Sequence, residues 1–396
     1  MERSLFTAIK IVFCGGLAFF CSFVDRLSWP PVIPLATRDL GLTAAQAGGF
    51  MSAFFLGYLL TQLPGGMLAD RLGTRKVLLT SLGLMGLFTI GMTWIPGFWT
   101  GTVLRFFAGI GSGAVLAAAV KGVYDNFGPT RRATAMGFFM ASSPFGLLIA
   151  NLLSPMIAAS YGWRSSFLAA GSFTLLALAI SWLTLPRPAK TCPRAKDRPA
   201  DSRNTLRTLF RNRALMLTAV AGFFAMWGTW GTLTWANTYM HQCLGLSLQQ
   251  SGRIMAMFGV GALIGQPLAG WLADRFPLHR RQVGMAILAC FALLLWLFGN
   301  NQDTSRLLVL APLLGAGAFI FGPVLNTFIS ELAEPSQVGT AIGFCNGVWQ
   351  LGSVISPLTA GLVLDMAGNY TWAFTTLAAG PLLAVLLFAL VPSRRS

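Results

Sequence analysis

Charge is what this chain has least of. Only 10% of its 396 residues are Asp, Glu, Lys or Arg, against about 25% in soluble domains, and its mean hydropathy is +0.67. Its length divides into apolar spans of roughly 20 residues, not into soluble cores, so it reads as a membrane protein. Acidic residues are scarcer than basic ones: 12 against 28, a formal charge of +16. Basic proteins often bind nucleic acid, but here the lysines and arginines fall in short polar breaks between apolar runs, which is how membrane proteins set their orientation. Nucleic acid is therefore not an expected partner.

Other absences exclude further classes. Cys14, Cys21, Cys192, Cys243, Cys290 and Cys345 form no CxxC pair, and His241 and His279 have no metal-ligand spacing with carboxylates, so neither a disulfide framework nor a metal site is expected. No GxxxxGK[ST] occurs. The glycines of Gly109-Ile-Gly111-Ser-Gly113 and Gly259-Val-Gly261 follow no strand and read as helix-packing surfaces. With no nucleophile constellation, paired carboxylates or long soluble domain, the chain does not read as an enzyme, and no cofactor is expected. The energy for any transport must come from an ion gradient or the substrate's own gradient.

What is present is a series of about twelve spans. The first is expected over roughly 8–36, uncleaved because it runs well past the core of a signal peptide; the ninth, roughly 283–300, is the shortest. Arg3, Lys10, Arg71, Arg75, Lys76, Arg131, Arg132, Arg275, Arg280, Arg281, Arg394, Arg395 and nine basic residues between Arg187 and Arg213 all fall on one side of a twelve-span chain. Arg38, Arg164 and Arg306 fall on the other, so both termini are expected in the cytoplasm. The fold class expected is an all-α membrane protein of twelve transmembrane helices in two pseudo-symmetric six-helix bundles, residues 1–186 and 212–396. A polar cytoplasmic linker, 187–211, joins them, with an amphipathic surface helix around 205–213.

The two halves share sequence. QLPGGMLADR (Gln62–Arg71) recurs as QPLAGWLADR (Gln266–Arg275), and AMGFFMASSPFG (Ala135–Gly146) as AIGFCNGVWQLG (Ala341–Gly352). Repeats joined by a linker point to a transporter with its site between two bundles.

These residues resemble a known group. Gly66-Met-Leu-Ala-Asp70-Arg71-Leu-Gly73-Thr-Arg75-Lys76 is similar to the loop 2–3 signature of the major facilitator superfamily, and Gly270–Arg275 to its degenerate second copy. Asp25-Arg26, Leu40–Gln46, Ser52–Tyr58, the Arg105 segment, Gly137–Ser143 and Tyr161–Phe167 resemble the anion:cation symporter family. The resemblance implies a monomer in a bacterial-type inner (plasma) membrane that imports a small organic anion, a carboxylate or similar, with protons. Sugar-acid members usually carry a coupling glutamate seven residues after the span 4 arginine, where this chain has Ser112. The alternative is a proton-driven exporter or antiporter of drugs or metabolites. Such proteins tend to carry Gly-Pro-x-x-Gly-Gly in span 5, and Ser143-Pro144-Phe145-Gly146 departs from that pattern.

Arg26 and Arg105 are the expected anion ligands, since guanidinium matches carboxylate in two parallel hydrogen bonds and keeps its charge. Asp25 is the expected proton carrier; the bland reading is a static Asp25–Arg105 salt bridge holding span 1 against span 4. Tyr58, Gln62, Trp235, Asn237, Tyr239, Asn346 and Gln350 are candidate substrate contacts that carry no charge; Trp230, in the same span as Trp235, and Asn326 are neutral candidates too, and each of those in the second half reads equally as glue between helices. Gly66, Asp70, Arg71, Gly73 and Arg75, with Asp274 and Arg275 in the second half, read as gates, and Asp70 is expected to accept from a helix N-terminus or an arginine across the bundle interface. Lys121, near the end of span 4, is expected to snorkel outward.

Overall fold

The computed structural model describes residues 2–186, 211–275, 280–334 and 337–391. Most of the linker, and the surface helix expected there up to residue 210, lie outside the described residues. Among those described there are thirteen α-helices and no strand. They are α1 (Glu2–Leu27), α2 (Ile33–Leu40), α3 (Ala44–Leu72), α4 (Thr74–Gly91), α5 (Phe98–Asn126), α6 (Pro129–Tyr161), α7 (Trp163–Thr184), α8 (Arg213–Cys243), α9 (Leu248–Arg275), α10 (Arg280–Gly299), α11 (Thr304–Leu332), α12 (Val338–Ala367) and α13 (Tyr370–Ala389). Ten segments are long and apolar enough to cross a membrane, the first running from Phe6 to Leu40. At about 1.5 Å per residue α3 and α9 also exceed a hydrocarbon core of about 30 Å. The ninth expected span is α10, a full 20 residues.

The first span is broken, where one continuous helix was expected. Pro30 and Pro31 have no N–H to continue an α-helix, so α1 stops at Leu27 and a short 3-10 turn, Pro30–Val32, leads into α2. Ser28 closes the end, its backbone N–H and its hydroxyl both donating to the Val24 carbonyl at 2.9 and 2.7 Å. The break puts Asp25 and Arg26 in the last turn of α1.

Helices α1–α7 pack chiefly on one another, with α3 against α5 and α1 against α5 and α6; α8–α13 do likewise, with α9 against α11 and α12 against α8. Two seams join these sets, α3 on α12 and α6 on α9. Both seams are tight at the end of the molecule opposite the chain's N-terminus, called distal here. A Cβ on Gly48 would lie 2.1 Å from the Pro357 carbonyl oxygen, and one on Gly361 2.4 Å from that of Ala44. Only glycine permits such approaches. Toward the other end a Cβ on Gly339, Gly343 or Gly347 of α12, or on Gly137 of α6, would meet nothing within 4 Å. The seams are closed distally and part toward the end that carries the N-terminus.

The distal seam is fastened by a carboxylate that sequence reading missed. Thr43 and Gln46 form a capping box at the start of α3, with hydrogen bonds of 3.0 and 3.2 Å, and Asp365 of α12 accepts from the next two free N–H groups, Ala44 and Ala45, at 2.8 Å each. Negative charge is favoured at a helix N-terminus, where these donors have no partner within the helix. The same box recurs at α9 between Ser247 and Gln250, at the offset that carries Gln62 onto Gln266. Leu-Gly-Leu-Thr (40–43) and Leu-Gly-Leu-Ser (244–247) are therefore part of the internal repeat.

Helix caps contribute about 0.5–2 kcal/mol, and 1–2 kcal/mol is a factor of about 5–30 in a two-state population. Asp365→Ala is therefore expected to shift the protein severalfold toward a distally open state. Spin labels at the exposed Tyr161 and Met366 (79% and 86% exposed), with the protein's own exposed cysteines replaced, should report a longer distance; an unchanged distribution would mean that Asp365 does not hold the seam.

Candidate functional site

The last turn of α1 places two charges on different faces. Asp25 points into the α1–α7 set, fully buried, and its carboxylate oxygens accept from the Thr174 hydroxyl on α7 at 3.0 and 3.2 Å. Arg105 of α5, 1% exposed, donates Nη1 to the backbone carbonyl of Asp25 at 2.9 Å. That carbonyl is one of the four at the C-terminus of α1 that have no partner within the helix, and a cation there meets the negative end of the helix dipole. Arg105 thus caps α1, and in place of the static Asp25–Arg105 salt bridge of the bland reading there is a bond to the main chain. Its guanidinium packs over Phe167, Trp29 and Phe54, with Cζ 5.0, 5.9 and 5.9 Å from the ring centroids, all within the α1–α7 set.

Arg26 faces the other way, toward α8. Its Cζ lies over five rings: Tyr58 at 4.7 Å, Phe23 at 4.8 Å, Trp230 at 5.0 Å, Phe55 at 5.2 Å and Phe54 at 5.4 Å. Trp230 belongs to the second half and meets Phe55 edge-on at 4.6 Å, so this box closes across the interface between halves. Arg26 is 2% exposed; its Nη2 makes a long hydrogen bond to Ser112 Oγ at 3.4 Å, and the Tyr58 side chain lies beside it. Ser112 in turn shares a short hydrogen bond with Ser22. Arg26 Nε and Arg105 Nε and Nη2 have no hydrogen-bond partner among the described residues.

Cation–π contacts contribute about 0.5–2 kcal/mol each, whereas removing a charge from water costs several. Five rings surround the Arg26 guanidinium, and its Nε–H has no hydrogen-bond partner among the described residues. Such a group attracts an anion. The serine that departs from the family pattern is its neighbour, so no protein carboxylate neutralises it there.

The other candidates separate. Tyr58 joins the Arg26 box, and Gln62 lies one turn further along α3, half-buried. Asn237 Nδ2 donates across the seam to Asn151 Oδ1 at 3.0 Å. Trp235 donates to the Pro357 carbonyl at 3.0 Å and Tyr239 to that of Asn301 at 2.6 Å, contacts that tie α8 to its own half. Asn346 donates to Ile342 in its own helix, and Gln350 accepts from Ser353, each at 3.0 Å. A lateral groove of about 890 Å³ between α1, α6 and α7 has exposed Phe13, Phe138 and Phe145 on its walls and does not include Arg26.

At the other end, Asp70 was expected to pair across the bundle interface. It pairs instead within its own half, with Lys121 of α5 at 3.1 Å, and Lys121 also holds Asp125 at 3.1 Å. α5 packs along α3 throughout, so an amine near its end is the nearest cation. Arg75 donates to the Trp182 carbonyl at 2.7 Å and lies over its ring; Arg71 and Arg275 are exposed. Gly73, at φ 82°, makes the α3–α4 turn in a conformation side chains rarely adopt. Gly66 faces Ala117 at 3.9 Å, ordinary contact. The side chain of Asp274 lies outside the described residues.

Among the described residues, ten apolar segments and the equally long α3 and α9 form two repeated sets that meet around a buried cation with no paired carboxylate, which makes this a multi-span membrane transporter and not an enzyme. The chain belongs to the Major Facilitator Superfamily, whose family model matches residues 15–333 and 240–396. It is 25% identical to a hexuronate transporter of Bacillus subtilis (strain 168), over 90% of this chain and 88% of that one. It is 28% identical to a 3-(3-hydroxy-phenyl)propionate transporter of Escherichia coli (strain K12), over 98% and 95%. Its fold matches a crystal structure of a nucleoside transporter with a TM-score of 0.82 at 13% identity, covering 96% of this chain and 99% of that one.

Proposed function

We propose that the chain imports a small organic anion with protons, by alternating exposure of a site at Arg26 between residues 1–186 and 212–396, across a bacterial-type plasma membrane with both termini in the cytoplasm. One observation carries this reading: a buried arginine at the interface between halves, surrounded by rings and with no carboxylate paired to it among the described residues. The relatives named above are, by name, transporters of a sugar acid and an aryl acid, both carboxylates.

In this reading Arg26 binds the anion and Asp25 carries the proton. The cluster of Asp25, Arg26 and Arg105 has net charge +1 when Asp25 is ionised and the site is empty. It has the same charge when Asp25 is protonated and a monoanion is bound, so proton and anion entering together add no charge to a low-dielectric region. Arg105 is a positioning residue: its bond to the Asp25 carbonyl fixes the turn that holds both side chains. Tyr58 touches the substrate as part of the box, and Gln62, Asn346 and Gln350 meet it on the way in or out. Trp235, Asn237 and Tyr239 set the position of α8. Asp365 closes the distal gate, and the region from Gly66 to Arg75 with Lys121, matched in the second half by Asp274 and Arg275, governs the cytoplasmic one.

Uptake of radiolabelled organic acids into proteoliposomes tests this. Accumulation is expected to require an inward proton gradient and to collapse with a protonophore; gradient-driven export, or no anion transport across a broad panel, would contradict it.

A further inference from the structure

The rings that surround Arg26 also restrict what the anion carries behind its carboxylate. We propose that this site selects carboxylates conjugated to a flat aromatic or unsaturated body and discriminates against polyhydroxylated acids. The inference rests on the anion site proposed at Arg26. Family membership does not choose between these classes, since the relatives include transporters of both. The composition of the box does.

A carboxylate and a guanidinium pair edge to edge in one plane. Phe23 on α1, Phe54, Phe55 and Tyr58 on α3 and Trp230 on α8 cluster around the Arg26 guanidinium at 4.7–5.4 Å. A body conjugated to the carboxylate shares its plane, so it extends from Arg26 between these rings and stacks against them. A sugar acid instead has a tetrahedral carbon next to its carboxylate, bearing a hydroxyl in gluconate and the ring oxygen in pyranose glucuronate, and the hydroxyls beyond it cannot all lie in the carboxylate plane, so some of them face the rings. Few polar partners exist there to receive them. Ser22 and Ser112 are hydrogen-bonded to each other, and Phe23, Phe54 and Phe55 offer none, which leaves the Tyr58 hydroxyl and the Trp230 indole N–H as the polar groups of the box. An apolar wall discriminates against an added hydroxyl by up to about 100-fold. Trp230 is the ring supplied by the second half, so specificity is read by both halves at once.

The test is isothermal titration of the full-length protein in nanodiscs with benzoate, cinnamate, gluconate and glucuronate, repeated on Arg26→Gln and Trp230→Leu, each checked for a monodisperse elution profile. The expected result is that benzoate and cinnamate bind at least tenfold more tightly than either sugar acid and that Arg26→Gln abolishes binding of all four. Trp230→Leu should narrow the ratio by weakening the aromatic acids. The wild-type comparison decides even if a variant fails to fold. Sugar acids binding as tightly as the aromatic ones, with binding lost in Arg26→Gln, would overturn this inference and leave the anion site standing. No binding by any of the four would overturn both.

Discussion

Arg26→Gln is expected to abolish saturable binding and transport of organic anions while leaving the protein folded. Removing one partner of a buried, hydrogen-bonded charge pair costs about 2–5 kcal/mol, or about 30-fold to several thousand-fold in affinity. The folded state should tolerate the change, because an uncompensated guanidinium in an aromatic box is a cost to folding that glutamine relieves. Arg26→Lys separates charge from shape. Lysine keeps the positive charge but loses the planar fork and the stacking area, so affinity should fall by about tenfold or more without vanishing. Affinity measured by titration, alongside thermal stability, checks both variants. Arg26→Gln that binds anions normally would remove Arg26 from the site.

Asp25→Asn is expected to uncouple transport. Asparagine is nearly isosteric with aspartate, and its carbonyl oxygen can still accept from Thr174, which now donates to the carboxylate at 3.0 and 3.2 Å. The bond from Arg105 goes to the main chain at this residue and survives the substitution. What is lost is the titrating group. Counterflow exchange of anion, which needs no proton movement, should stay within a few-fold of wild type, while accumulation driven by a pH gradient should disappear. If Asp25→Asn still concentrates substrate against its gradient, the proton travels by another route.

Sequence reading reached the class and the architecture because composition and periodicity are properties of whole segments. Charge is rare, the repeat is long, and basic residues lie on one side, so twelve spans in two sets followed without knowledge of any single contact. The site was less legible. Asp25, Arg26 and Arg105 stand out as charges in hydrocarbon, but which face each occupies depends on where α1 ends. The Pro30-Pro31 pair held that information, since it stops the helix at Leu27 and leaves the Asp25 carbonyl open to a cap from Arg105, where the bland reading had a salt bridge. Trp230 was one of several candidates crowding its span, with no role of its own, and Asp365 was not singled out. One is a tryptophan in a segment already rich in them, and the other an acid at the edge of a span; each gains its role only by facing a residue some 200 or 300 positions away in the chain. The pairing of Asp70 with Lys121 was legible in principle, because both lie near the same end of neighbouring spans. A helix N-terminus or an arginine across the interface were the partners expected for Asp70, and the amine of Lys121 takes their place.

The measurement that bears most directly on the central claim is the position of a bound carboxylate. Crystals of the protein grown with 4-bromobenzoate and measured at the bromine absorption edge are predicted to show an anomalous peak among Phe23, Phe55 and Trp230, with the carboxylate in the plane of the Arg26 guanidinium. A bromine peak confined to the lateral groove between α1, α6 and α7, with no density at the edge of Arg26, would contradict it.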